Sequence, residues 1–270
     1  MEFTMIRNVK QKAKVTLSNL PGKYALFALP ILLTFVNVSI SFKENISQGD
    51  YSNTSFATAF FPLLISFLLS FFTISALYAM LEVIRGERHR VTFSDITYTF
   101  SGNLFGKLFV TLLVRGLLTT LFSIPLFIGL AVLLIGLVLP VLQDQATNMS
   151  ILLIILGIVF FILGLMLSIY KNCQYSQAEF LVYDQAKAGE YQGALATIKE
   201  SKRLMKGHVW EAILLYLSFI GWYLLLLLTF GLVNFYLLPY LNTTRATYYQ
   251  YLLEQADKET PSIIDTPLSV

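Results

Sequence analysis

The fold class is decided by the stretch Phe105–Pro140, FGKLFVTLLVRGLLTTLFSIPLFIGLAVLLIGLVLP. Its apolar run is longer than the ~20 residues that a helix needs to cross a bilayer. As one helix, residues 104–140 would be about 55 Å long, against about 30 Å of hydrocarbon. Part of the stretch must therefore lie outside the bilayer, which predicts a spanning helix preceded by a cytoplasmic lead-in helix.

Two cations, Lys107 and Arg115, lie in the first third of this stretch. A charge inside hydrocarbon is a candidate functional group by default, because inserting it is costly. If the span begins at Gly116, both cations instead fall at the cytoplasmic interface, where their aliphatic stems snorkel. The sequence favours this second interpretation, with Lys107 and Arg115 as interface anchors, and leaves a buried working charge as the alternative.

Similar apolar runs recur along the 270-residue chain, which is 56% hydrophobic and 13% charged. A soluble domain carries about a quarter charged residues. The composition therefore predicts an all-α fold, a polytopic membrane helix bundle. The net charge of +3 does not point to nucleic acid, since the lysines and arginines flank the apolar runs. The lipid bilayer is the expected partner, and no nucleic acid is expected.

The chain is predicted to have three parts. Residues 1–23 are a basic amphipathic cytoplasmic leader, residues 24–251 a six-span membrane domain, and residues 252–270 a polar tail. The first apolar run follows a basic segment but is too long for a signal peptide, so it is a retained anchor. The predicted spans are about 24–42, 57–84, 104–140 including the lead-in helix, 151–170, 209–229 and 231–251, with a cytoplasmic loop at 171–208.

The leader has the pattern of an amphipathic helix whose basic residues lie away from its apolar stripe. This suits a helix on anionic inner-leaflet lipids, where each lysine contributes about 1 kcal/mol. A solvated leader is the alternative. The stripe comprises Met5, Val9, Ala13, Thr16 and Leu20, and the cations are Arg7, Lys10 and Lys14.

Basic residues set the predicted orientation. The leader and the loops 85–103 and 171–208 are rich in Lys and Arg, whereas the loops 43–56 and 141–150 contain only Lys43. The N-terminus of a multi-pass cell-membrane protein is therefore expected in the cytoplasm. Residues 212–241 form either one helix of about 45 Å or two helices that turn near Thr229–Gly231. The second version is favoured and puts both termini in the cytoplasm.

The last predicted helix carries a candidate intramembrane polar stripe. Its members fall within an arc of about 80° at helical periodicity and are Asn234, Asn242, Arg245 and Tyr249. Such a stripe faces the bundle rather than lipid. It forms either a hydrogen-bond network between helices or a ligand or ion site, and the candidate counter-charges for Arg245 are Glu82, Glu179 and Glu211.

Two glycine pairs predict close helix packing. Gly129 and Gly136 are seven residues apart, as are Gly157 and Gly164, and a short turn joins their spans. Small residues on facing helices let the backbones approach closely.

An amphipathic segment precedes the fifth apolar region. Its apolar side comprises Ala194, Leu195, Ile198 and Met205, and Trp210 follows at headgroup level as a third interface anchor. The segment docks either on the leaflet or on a membrane or cytoplasmic protein partner.

Signatures of catalysis are missing, so the protein is not expected to be an enzyme and no catalytic, cofactor-binding or metal site is expected. Gly102–Leu108 is too short for a phosphate loop. The single Cys173 and the two histidines, His89 and His208, offer no zinc cluster.

Several short motifs carry a family resemblance. They are YSQA at Tyr175–Ala178, SKRLMKGH at Ser201–His208, SFIGW at Ser218–Trp222, Pro239-Tyr240, and TRATYY at Thr244–Tyr249. In these the chain resembles the bacterial integral membrane family called domain of unknown function 975. GLVNFYLLPY departs from the family pattern, which has a more Gly-rich turn and a Trp. The resemblance implies six spans in the membrane of a Gram-positive-type bacterium and implies no activity.

The sequence thus predicts a non-enzymatic membrane protein that supports or regulates cell-envelope processes through its basic cytoplasmic face. A small transporter or lipid-handling protein that uses the polar stripe is the alternative.

Overall fold

The structure is a computed structural model, and it describes residues 2–46, 56–143 and 147–259. Most of the predicted loop 43–56, the middle of the turn 141–150 and the end of the tail 252–270 lie outside these ranges. No strand occurs in the described part of the chain, which confirms the all-α prediction.

Helices account for nearly all of the described residues. A 3-10 helix, Phe93–Phe100, lies between the third and fourth α-helices. The α-helices are α1 (Glu2–Ser18), α2 (Lys23–Ile46), α3 (Phe56–Ile84), α4 (Leu104–Gln143), α5 (Asn148–Gln174), α6 (Ala178–Ala188), α7 (Ala194–Leu204), α8 (Val209–Leu217), α9 (Ile220–Leu228) and α10 (Asn234–Glu259).

Five segments in the described part are long and apolar enough to cross a membrane. They are Lys23–Ile40, Phe60–Ile84, Leu104–Leu142, Asn148–Ala188 and Val209–Leu228. The last of them is interrupted at Ser218–Phe219, between α8 and α9. Helix α10, the sixth predicted span, is not among the five, because Asn, Thr, Gln and charged residues occur along its length.

Helix α4 differs from the predicted arrangement of a lead-in helix followed by a separate span. It is one helix of 40 residues, about 60 Å long, that runs through Arg115, Gly116 and Pro125 without a break. No residue between Leu104 and Arg115 breaks a helix, so the predicted lead-in segment and the span share one axis.

The chain divides into two compact units. The first comprises the described residues of Met1–Phe105 and Leu214–Val270, and the second comprises Gly106–Ile213. In the first unit α10 packs against α1, α2 and α3. From Leu237 to Leu252 nearly every side chain of α10 is buried or half-buried, so this polar helix forms the centre of the unit.

The apolar face of α1 is covered by protein. Its buried residues are Ile6, Val9, Ala13 and Leu17, whereas Met5 and Thr16 of the predicted stripe are only half-buried. Val9, Ala13 and Leu20 are buried as predicted, and the buried face, which packs on α10, has Ile6 and Leu17 in place of Met5 and Thr16.

In the second unit α4 and α5 form an antiparallel hairpin with the four glycines at its contact face. A Cβ on Gly129 or Gly164 would collide with the backbone of Phe161 or Leu126. The contact would be 2.5 Å from the Leu133 nitrogen for Gly157 and 2.8 Å from the Ile154 nitrogen for Gly136. The glycine packing prediction is confirmed.

Helices α6 and α7 follow this hairpin and pack on each other. Ala194, Ile198 and Met205 are buried as predicted, but Leu195 is 68% exposed and does not belong to the buried face. The Ser201 hydroxyl donates to the Gln174 carbonyl at 2.9 Å and accepts from the Gln177 amide at 3.2 Å. This one side chain ties α7 to the turn between α5 and α6.

Candidate functional site

A lysine of α1 reaches the break between α8 and α9. Lys10 Nζ donates to the carbonyl oxygen of Ser218 at 3.1 Å and to its hydroxyl at 3.0 Å. The same ammonium lies 4.3 Å from the centre of the Phe219 ring, within cation–π range. The N-terminal helix is therefore fastened to a helix interruption 208 residues further along the chain.

One turn further along α1, Lys14 Nζ lies 5.7 Å from the ring centre of Tyr240. Tyr240 belongs to an aromatic cluster that joins α9 to α10. Ring centres are 5.2 Å apart for Phe219 and Tyr240, and 5.2 Å for Trp222 and Tyr236. The two lysines thus cover one side of this cluster.

Neither lysine forms a salt bridge within the described residues. Burial, and after it the charge of Lys14, lower the pKa of the Lys10 ammonium below its ordinary value. The Tyr240 hydroxyl is also buried and has no hydrogen-bond partner in the described part of the chain. Two like charges and one free hydroxyl therefore lie side by side without an internal anion.

Several other basic residues have a carboxylate partner. Arg88 lies 2.9 Å from Glu82 and 2.6 Å from Asp95, and Arg203 pairs with Glu200. His208 Nδ1 lies 2.8 Å from Glu211. Lys10 and Lys14 have no such partner, and the same is true of Lys23, Lys107 and Lys171 in the described part of the chain, whose ammonium groups lie near aromatic rings.

The predicted polar stripe lies on α10, and most of it faces protein. Asn234, Asn242 and Tyr249 are buried, and Arg245 is half-buried. The Asn242 amide donates to the Leu238 carbonyl at 2.9 Å. Neighbouring buried hydroxyls do the same with carbonyls four residues earlier in α10: Thr243, Thr244 and Thr247.

Each candidate counter-charge for Arg245 has another basic residue as a partner. Glu82 pairs with Arg88 and Glu211 with His208. Glu179 pairs with Arg115. The assignment of these three carboxylates to Arg245 stays a prediction.

The Arg115 guanidinium is held inside the second unit. Its Nη1 lies 3.3 Å from Glu179 Oε2, and its Nη2 donates to the Asn172 side chain at 3.3 Å. The side chains of Arg115 and Glu179 are 18% and 5% exposed. Arg115 is therefore an internal ion-pair partner that links α4 to α5 and α6, a role that its sequence position alone did not reveal.

The other two predicted anchors differ in exposure. Lys107 is half-buried, and its Nζ lies 5.5 Å from the ring centre of Tyr191. Trp210, at the start of α8, is 58% exposed. An exposed indole next to an apolar helix suits the interfacial role predicted for Trp210.

Sequence reasoning did not single out Lys10, Ser218 or Ser201 as contact residues. Ser201 and Ser218 both lie in motifs that carry the family resemblance, and this was the one feature of the sequence that could have pointed to them as contact residues. In the described part of the chain no three His, Cys, Asp or Glu side chains come together as a metal site would require. The geometry offers binding groups, namely ammonium, hydroxyl and aromatic rings.

These features define a protein that is helical throughout its described residues, with five segments suited to a bilayer and two α1 lysines beside an aromatic cluster. The chain belongs to the family described as Protein of unknown function (DUF975), whose model matches residues 3–256. The match extends the resemblance from the C-terminal third to nearly the whole chain. No curated protein and no solved structure matches it.

Proposed function

We propose that this protein is a multi-pass protein of the bacterial cell membrane, with both termini in the cytoplasm, that acts by binding rather than by catalysis. The five apolar segments and the basic residues of the leader and of loops 85–103 and 171–208 support this topology. In the sequence-based topology α10 is the sixth crossing, and an even number of crossings returns the C-terminus to the cytoplasm.

The bound partner that we propose is the phosphate of anionic inner-leaflet lipids, through which the protein supports or regulates envelope processes. The observation that carries this proposal is the pair Lys10 and Lys14, which approach aromatic rings and a serine but no carboxylate. An external phosphate would offset the burial and the repulsion that together lower the pKa of Lys10.

Lipid retention tests this proposal. The full chain is purified in mild detergent, and its bound phosphatidylglycerol is quantified by mass spectrometry. The double variant Lys10→Gln/Lys14→Gln should lose most of the bound lipid. Lys12→Gln is the matched control, because Lys12 is an exposed lysine of the same helix.

A second readout is thermal unfolding of delipidated protein after lipid is added back. Phosphatidylglycerol should raise the unfolding temperature of the wild type and of Lys12→Gln, and phosphatidylcholine should not. Equal lipid loss in the Lys12 variant, or equal stabilisation by both lipids, would contradict the proposal. Stabilisation by inorganic phosphate alone would assign the site to a free anion.

A second candidate function is that of a small transporter or lipid-handling protein. The observation that supports it is the burial of polar groups on α10. Arg245→Ala and Arg245→Lys are compared for membrane abundance and for phenotype. Normal abundance with a lost phenotype in Arg245→Ala, and rescue by Arg245→Lys, would support a ligand path. Lost abundance in both variants would give the stripe a packing role.

A further inference from the structure

We infer that α9 and the start of α10 form a half-depth hairpin, which enters the bilayer from the cytoplasmic side, turns near its middle and contacts acyl chains of the inner leaflet. This inference rests on the membrane location and the cytoplasmic α1 proposed above. It replaces the fifth and sixth crossings with one re-entrant element and leaves both termini in the cytoplasm. Its partner is the apolar interior of one leaflet.

Helix length is the first argument. Helix α9 has 9 residues and is therefore about 14 Å long, half of the ~30 Å hydrocarbon layer. Helix α8 precedes it after a local interruption of the helical hydrogen-bond pattern at Ser218–Phe219, where the Phe219 amide donates to the Tyr216 carbonyl.

Helix α2, which belongs to the same unit, gives a measure of how deep the hairpin tip lies. Phe35 packs on the hairpin tip, since a Cβ on Gly231 would lie 3.1 Å from its ring. The ring centres of Phe35 and Phe235 are 6.1 Å apart. In α2, Phe35 lies about 18 Å from the Lys23 end and about 16 Å from the Ile46 end. The apolar segment of α2 ends at Ile40, about 8 Å beyond Phe35, so the tip lies within that segment and short of its outer end.

Helix α3 gives a second and larger distance to the tip. Arg85, which follows the last residue of α3, donates from Nε to the Gln250 side chain at 3.1 Å. From Gln250 back to Asn234, the first residue of α10, the distance along the helix is about 24 Å. Helix α3 has 29 residues and is about 43 Å long, so it continues well beyond the level of the tip.

The α1 lysines give the third argument. Lys14 contacts Tyr240, which is only about 9 Å along α10 from Asn234, and Lys10 contacts Phe219, about 14 Å along α9 from Leu228. If the tip reached the outer surface, both ammonium groups would lie inside the hydrocarbon. A half-depth hairpin places both contacts nearer to the inner headgroups, toward which a lysine stem can extend.

The turn itself is suited to a place without water. Hydrocarbon offers no hydrogen bonds, so every amide must find an acceptor within the protein. Each backbone N–H from Thr229 to Leu237 has one. Most acceptors are carbonyls of the turn and of α9, and the Val233 amide donates to the Thr229 hydroxyl.

The tip is also apolar and pre-formed. The Gly231 amide bonds to the Leu226 carbonyl and the Phe230 amide to the Leu227 carbonyl, which is the Schellman pattern of a helix end. Phe230 adopts a φ of 49° where glycine is usual, and its side chain is 93% exposed. A strained backbone thus presents a bare aromatic ring at the point of deepest insertion.

Cysteine labelling tests the depth in intact cells. In a Cys173→Ser background, Phe230→Cys marks the tip and Met149→Cys, 60% exposed at the start of α5, marks the loop proposed to be extracellular. A membrane-impermeant maleimide added outside should label Met149→Cys and leave Phe230→Cys at background. Labelling of both at similar rates would overturn the half-depth hairpin.

A depth measurement separates a buried tip from one hidden at the outer interface. An environment-sensitive fluorophore on Phe230→Cys, in vesicles of brominated lipids, should be quenched most by bromine near the acyl-chain ends. Strongest quenching by bromine near the headgroups would overturn the proposal. Failure of external labelling at Met149→Cys, with labelling from the inside, would overturn the proposed topology as well, whereas the lipid-retention assay addresses the phosphate site alone.

Discussion

Arg115 Nη1 lies 3.3 Å from Glu179 Oε2 across the contact between α4 and α6. The ion pair joins a residue of α4, the longest helix in the described part of the chain, to the first turn of the helix that follows α5. Because Glu179 is almost fully buried, an arginine that the sequence suggests as an interface anchor also neutralises an internal carboxylate.

Breaking this pair should destabilise the protein. Arg115→Met leaves the Glu179 carboxylate buried without its cation, and we expect a loss of about 2–3 kcal/mol in the free energy of unfolding, between the values typical of exposed and buried pairs. Denaturant unfolding in micelles measures it. Arg203→Met is the control, because its pair with Glu200 is 78% exposed on the arginine side. Equal losses in the two variants would contradict this account, and adding Glu179→Gln to Arg115→Met should restore part of the stability.

The α4–α5 hairpin should not tolerate a side chain at Gly157. Gly157→Ala places a methyl group 2.5 Å from the Leu133 nitrogen, so the two helices must separate. We expect a lower unfolding temperature and a cost of about 1–3 kcal/mol. Gly116→Ala is the matched control in α4, since a Cβ added there would meet nothing within 4 Å and alanine favours a helix by about 1 kcal/mol. A lower unfolding temperature for Gly116→Ala would argue against the close-approach explanation.

The 3-10 helix should loosen in acid. Burial alone raises the pKa of Asp95, but the Thr92 amide and the Arg88 guanidinium outweigh it and lower that pKa below its ordinary value. The stabilisation is therefore complete above the unfolded pKa, near 3.9, and is lost as the pH falls through the lower folded value. The unfolding free energies of the wild type and of Asp95→Asn, compared from about pH 6 down to the acid limit, should converge at low pH. A constant difference over the whole range would refute the assignment.

The Ser201 hydroxyl should contribute more to the free energy of unfolding than the hydroxyl of an exposed serine does. Ser201→Ala removes one acceptor and one donor between α7 and the α5–α6 turn and leaves the Gln177 amide buried without its partner. We expect a cost of about 1–3 kcal/mol in unfolding free energy. Ser70→Ala serves as the comparison, because its exposed hydroxyl bonds only to a carbonyl of its own helix, and its cost should be near zero. A similar cost for both serines would assign no special role to Ser201.

Hydropathy was sufficient to predict helices α2 to α5, because each of them contains a long, continuous run of apolar residues. Periodicity placed the apolar stripe of α1 only to within about one residue, since its burial depends on α10, which is distant in sequence. The break at Ser218–Phe219 escaped the same reasoning. Neither residue excludes a helix, and the interruption is accompanied by the Lys10 contact.

The ion-pair partners of the charged side chains were the least predictable part of the site. Arg245 and its three candidate carboxylates were grouped by estimated depth, yet Glu82, Glu179 and Glu211 each have a partner that is not apparent from helical periodicity. An ion pair depends on side-chain positions within a few ångströms, whereas depth along a helix is uncertain by a turn or more. Hydropathy does not contain that information.

The Lys10–Ser218 contact also fixes an order of assembly. The ribosome releases α1 long before it makes the segment to which this helix docks, and at about 5–20 residues per second the delay is roughly 10–40 s. During that interval Ile6, Val9, Ala13 and Leu17 have no protein surface to cover them. Until the last hairpin is synthesised, a chaperone or a lipid surface must therefore cover the apolar face of the N-terminal helix.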